Sequence, residues 1–235
     1  MSSAAKSKGR RPSGKTRQAG GKAEIAFAPR QARSRESERR LLKAAAEVLG
    51  QHGVEGATIP RIAAHAGLTP GSIYRRFPDK EVLLETVILG ILERQDERMR
   101  TGMTTEMTAQ IPLPVFTEQI VHSLLVSYRA NAGLMRAMQQ FARASANQEF
   151  RRKVTRLEIR TFERLVDLFL AAAKNIGHPE PRMAIALGLT MVISTLHECV
   201  LHTTDPKAWK TLLPQDDPAL RRELTRAFLR YLGAP

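Results

Sequence analysis

Cysteine is nearly missing: Cys199 stands alone among 235 residues. No disulfide can form within the chain, and the usage suits a reducing compartment. Aromatic side chains make up only 5%, with a single Trp. No β-branched alternation runs long enough to build a sheet. No segment of about 18 residues is apolar and free of charge, so none reads as a membrane span, and no apolar signal-peptide core is present. Acidic residues are short as well, 23 against 37 Lys and Arg, which leaves a net charge of +14. The expectation is a soluble, cytoplasmic, all-α protein attracted to a polyanion, of which nucleic acid is the commonest.

What is present favours helices. Leu, Ala, Met and Arg are plentiful, and unbranched side chains lose little rotamer freedom in a helix. Apolar residues reach 43%, enough for a real core at this length. The charge is uneven: residues 1–33 carry nine Lys or Arg against one acid, Glu24. That stretch reads as a disordered basic arm, either merely solvated or following DNA phosphates. Its segment GRRPSGKT (residues 9–16) matches the phosphate-loop pattern. Such a loop works only between a buried strand and a helix, and no apolar strand precedes it here.

Helical periodicity begins near Ser34. Leu41, Leu42, Ala45, Val48 and Leu49 share one helix face, which Gly50 and Gly53 should close. Thr58 caps a short helix that Ala66-Gly67 ends, and Thr69 with Pro70 starts another. Asp79 caps a long helix carrying Val82, Leu83, Val87, Leu89 and Leu92. A helix from Pro112 should end near Asn131, with Gly133 separating it from 134–145. A further one runs from about Gln148 to a C-cap at Gly177. Pro179 and Pro181 open an apolar helix to about His202, and Asp217-Pro218 starts a last one that Gly233 stops.

Thr58 to Phe77 reads TIPRIAAHAGLTPGSIYRRF, two short helices joined at Gly67, a helix-turn-helix. Ile59, Ile62, Ala63, Leu68 and Ile73 can lock the pair together. Thr69, Gly71, Ser72 and Arg75 then face outward, a set suited to base edges and phosphates in a groove.

Residues 35–95 resemble the DNA-binding domain of the TetR family of repressors. The resemblance is carried by LLKAAAEVL, HGVEGAT and RIAAHAGLTPGSIYRRFPDKEVLL. It implies base and phosphate contacts from the helix beginning at Thr69, including Pro70, Gly71 and Ser72. It implies backbone contacts from Tyr74 and Arg75, a phosphate on Lys80, and groove or phosphate contacts from Thr58 and Arg61. Pro70 stands where the family often has Lys or Arg, and Arg76 can replace that cation. Tyr74 could instead be a core aromatic with its hydroxyl exposed. The family also implies an all-α architecture of about nine helices. Residues 34–95 would be the DNA head, and 96–235 a helical body for ligand binding and dimerisation. A homodimer on a palindromic operator, released by a small apolar or amphipathic effector, follows from the same resemblance.

Met99, Met103, Met107, Met135 and Met138 suit either core filling or an adaptable cavity. His122, Tyr128, Phe141 and Arg143 are further lining candidates. Small residues at Ala184, Ala186, Gly188 and Ser194 make 184–201 a candidate dimer helix, with 220–232 a second. His197-Glu198 and His202 fall one residue outside the zinc-protease spacing, which on an α-helix puts the histidines about 140° apart. No metal, cofactor or catalytic constellation is expected. The rival classes are an enzyme, which needs such a constellation, and a nonspecific nucleoid protein, which needs charge alone. An activator is the alternative within the same class.

Overall fold

The computed structural model describes residues 21–173, 176–202, 214 and 216–234, with side chains from Ser34 onward except that of His202. The phosphate-loop match at residues 9–16 lies outside the described residues. The chain divides into a unit up to Arg39 and a unit from Arg40. In the first unit the backbone is already helical from Gly21, well before Ser34, and Arg39 pairs with Glu36 at 3.1 Å. An apolar face marks Ser34; helix propensity without such a face leaves no periodic signal.

All described elements are helical: α1 (Gly21–Gly56), α2 (Ile59–Ala66), α3 (Pro70–Tyr74), α4 (Lys80–Gly102), α5 (Thr105–Thr108), α6 (Leu113–Ala144), α7 (Gln148–Ala172), α8 (Pro181–Leu196) with a π-helical segment (His197–His202), and α9 (Asp217–Tyr231). The expected all-α class with about nine helices is the one found.

The expected caps fall where the side chains require them. Thr58, Thr69 and Asp79 accept from the backbone N–H groups of Arg61, Ser72 and Val82, satisfying donors that α2, α3 and α4 leave open. Gly67 ends α2 at φ 65°, a left-handed conformation that a side chain would strain.

Three expectations change. The segment 113–144 is one helix, kinked at Asn131 rather than interrupted, with Asn131 Nδ2 donating to the Ser127 carbonyl at 3.0 Å. The next helix ends at Ala172, with Ala173 at its C-cap, so Gly177 does not cap it. Residues 197–202 are π-helical, where bonds run from i to i+5, so the α-helical angle assumed for His197 and His202 does not apply.

Two apolar cores organise the second unit. One joins α6, α7, α8, the π segment and α9 around Phe116, Phe169 and Phe228, whose rings lie 4.7 and 5.1 Å apart. The other fills the head with Leu41, Leu49, Ile62, Ile73, Leu83 and Leu84, all fully buried. Burying each such side chain contributes roughly 1.5–3 kcal/mol. This second core also takes in Ala137 and Phe141 of α6 and Phe150 and Val154 of α7. Head and body therefore share packing across the elbow between α6 and α7.

Candidate nucleic-acid interface

Three fully buried residues, Ile62, Ala63 and Ile73, hold α2 and α3 against α1 and α4. A five-residue helix has too few internal bonds to stand alone, so α3 depends on this support. The support fixes what remains outside. Thr58, Arg61, Thr69, Pro70, Gly71, Tyr74, Arg75 and Arg76 are exposed, while Ser72 and Lys80 are half-buried. Tyr74 is 55% exposed, which sets aside its reading as a core aromatic.

Four polar side chains serve the local backbone first. The Ser72 hydroxyl donates to the Thr69 carbonyl at 2.6 Å while Thr69 Oγ1 accepts from the Ser72 N–H at 3.3 Å. The two residues thus cap α3 reciprocally. Arg61 donates through a terminal nitrogen to the Gly56 carbonyl at 2.7 Å, and Lys80 Nζ donates to the Val54 carbonyl at 3.2 Å. Both cations satisfy carbonyls where α1 breaks at Gly53, with φ 67°. They are thereby tied beside α2 and α3, and each retains further N–H donors. Sequence reasoning placed these cations but missed their anchoring, which pairs Lys80 with a residue 26 positions earlier. It also missed His65, whose Nε2 lies 2.8 Å from Glu47 on α1. That contact is the leading reason the Glu47 carboxyl sits below its usual range.

The effector candidates do not converge on one place. Met99, Met103, Met135 and Tyr128 belong to the body core, whereas Met138 and Phe141 belong to the head core. Met107 is 58% exposed, and exposed His122 lies 3.3 Å from Arg221, so both face solvent. Arg143 is exposed as well. A polar group does form inside the body. The Tyr128 ring lies 5.2 Å from His197, Gln139 Nε2 is 3.3 Å from His197 Nε2, and Gln139 Oε1 is buried without a hydrogen-bond partner.

A compact helix-turn-helix with an exposed, cation-bearing face on a helical body defines a DNA-binding regulator. Residues 41–87 match the family described as bacterial regulatory proteins, tetR family. The fatty acid metabolism regulator of Bacillus subtilis is 24% identical over 160 residues, 68% of this chain and 79% of that one. A solved TetR-family transcriptional regulator of Mesorhizobium loti superposes with a TM-score of 0.65 at 18% identity, over 86% of this chain and 97% of that one. FadR of B. subtilis, solved in complex with stearoyl-CoA, gives 0.55 at 17% identity, over 84% and 99%. Residues 41–87 therefore carry a DNA-binding segment of the tetR type, and the chain shares the fold of solved regulators of that family.

Proposed function

We propose that the protein is a cytoplasmic, homodimeric repressor that holds a palindromic operator and lets go when a small amphipathic molecule binds. The observation that carries this is the head itself, an exposed polar and cationic face on α2 and α3 that shares one core with α6 and α7. In this arrangement residues 34–95 act as the DNA head, 96–235 as the ligand and dimer body, and 1–33 as a basic arm. Thr69, Pro70, Gly71 and Ser72 enter the major groove. Tyr74, Arg75 and Arg76 meet the sugar-phosphate backbone, with Thr58, Arg61 and Lys80 steadying the head on phosphates.

Two heads must reach successive major grooves, roughly 34 Å apart, which requires a symmetric pair. Met183, Leu187 and Met191 of α8 form an exposed apolar row at four-residue spacing, each 44–47% accessible. With exposed Thr190 and Ser194 beside them, they give two copies of α8 a surface to share. By length and composition, 181–201 could also cross a membrane, but its other face belongs to the body core. The body core accounts for that face, and an apolar dimer seam for the exposed one.

The likeness to the B. subtilis fatty acid regulator, and to FadR bound to stearoyl-CoA, supports a long-chain acyl amphiphile as the effector. Gln139 Oε1 offers an unmet acceptor for the effector's polar part, since buried polar atoms are rarely left unpaired. The test has two stages. Footprinting on the DNA flanking the protein's own gene should reveal a palindromic site. Stearoyl-CoA should then bind free protein more tightly than the operator complex, as reciprocity requires. Equal affinity for both forms would remove ligand control, and a specificity ratio near one would favour a nonspecific nucleoid role.

A further inference from the structure

A second concentration of cations lies on α7, away from the helix-turn-helix. Arg151, Arg152, Thr155, Arg156, Ile159 and Arg160 line a shallow trough of about 670 Å³. Val154, Leu157, Leu165 and Phe169 turn to the cores from other faces of the same helix, so the arginines are not needed to bury α7. Arg151, Arg152 and Arg156 have no carboxylate partner among the described residues. Glu149 is engaged with Lys153 at 2.8 Å, and Glu163 is the carboxylate that borders the trough. Like charges four residues apart destabilise a helix, and Arg152, Arg156 and Arg160 stand in such a row.

Arg160 belongs to two sets. It lines the trough, and it also pairs with Asp96 of α4 at 2.5 Å. Asp96 is only 5% exposed, and its other oxygen accepts from Arg164 Nε at 3.1 Å. The same α4 carries Leu83, Leu84, Val87 and Ile88 into the head core. An anion in the trough would compete with Asp96 for Arg160, and Asp96 is a latch on the helix that holds the head.

We propose that the α7 trough binds a small ligand carrying two or more phosphate groups, of the nucleoside diphosphate type, and that binding draws Arg160 from Asp96 and loosens α4 from α7. Guanidinium forks match phosphate oxygens two at a time, and several stand within about 12 Å along the helix. Exposed Ile159 and the arginine stems add an apolar and stacking surface for the nucleoside. Such a group could arrive as a free nucleotide or as the headgroup of the amphipathic effector. The effect on DNA rests on the repressor reading above; binding in the trough does not.

The test uses the full chain at fixed ionic strength, with ADP, adenosine and stearoyl-CoA as probes in calorimetry. ADP should bind and adenosine should not. Arg152→Gln with Arg156→Gln should weaken ADP at least tenfold without lowering the melting midpoint, because both side chains are exposed and their mutual repulsion is relieved. Asp96→Asn should tighten ADP several-fold by releasing Arg160, more than Glu163→Gln does, and should abolish any effect of ADP on operator affinity. A parallel loss of stearoyl-CoA in the double variant assigns the trough to a headgroup, and unchanged stearoyl-CoA binding assigns it to a free nucleotide. The proposal falls if ADP does not bind, or if the double variant binds it normally. It also falls if Asp96→Asn leaves ADP binding unchanged. Loss of operator affinity and salt slope in the double variant without ADP would make the trough a DNA contact instead. Should no operator be found, the repressor reading fails while the ADP titrations still decide the trough.

Discussion

Gly133 of α6 lies so close to Gly50 of α1 that a Cβ on Gly133 would overlap the Gly50 carbonyl oxygen. The contact is backbone on backbone, so no rotamer change can relieve it. Gly133→Ala should therefore destabilise by about 1–3 kcal/mol or displace the head, since overpacking at a rigid contact has that cost. Gly50→Ala meets the Leu134 side chain at 3.3 Å and should be milder. Thermal melts beside operator titrations check this. An alanine at 133 that changes neither would mean the two helices separate freely.

Lys80 separates two kinds of contribution. Lys80→Ala should weaken operator and random DNA alike and flatten the salt dependence by about one unit. It also removes the bond to the Val54 carbonyl, for a loss of about 0.5–1.5 kcal/mol in folding stability. Thr69→Ala and Ser72→Ala should instead lower operator affinity more than random binding, because the pair caps α3. An unaltered salt slope for Lys80→Ala would take Lys80 off the phosphates.

Removing residues 1–33 takes away nine cations and one acid. The melting midpoint and the oligomeric state should persist, while DNA affinity falls most at low salt, where phosphate attraction is least screened. Unfolding or dissociation of the truncated chain would make the arm part of the fold.

Tyr128 gives a pH signature. Burial disfavours the phenolate and pushes its pKa up to about 12. The folded state then holds this proton to higher pH than the unfolded chain does. The stabilisation is complete below about pH 10 and is lost between about 10 and 12. Alkaline unfolding curves should show that loss, on the order of 1–3 kcal/mol. Tyr128→Phe should make the slope across that window shallower. Identical slopes would place the hydroxyl in water.

Much of the head was legible because its signals are local. Thr58, Thr69 and Asp79 announce caps within three residues of the N–H groups they serve. Gly67 announces the turn by needing a positive φ. The bonds of Arg61 and Lys80 to the end of α1 were not legible in this way, because they depend on how the helices meet. Asn131 and Gly133 read as a helix break, yet packing on both cores holds 113–144 in one kinked helix. Gly177 read as a cap but packs against Gly233, a partner distant in sequence. The row Arg152, Arg156, Arg160 and Arg164 stands openly in the sequence. Only the fold shows that two of its members close on Asp96.

The shared core at the elbow bears on how such a regulator could be recombined. Phe141 and Phe150 meet edge to face, 5.7 Å between ring centres, within the apolar cluster of the DNA-reading helices. A chimera joined after residue 95 would give a foreign sensor to a head still shaped for these two rings. A graft that brings 131–154 along with the head would keep both sides of that contact from one parent. The natural seam for exchanging specificities therefore follows the packing, not the order of residues along the chain.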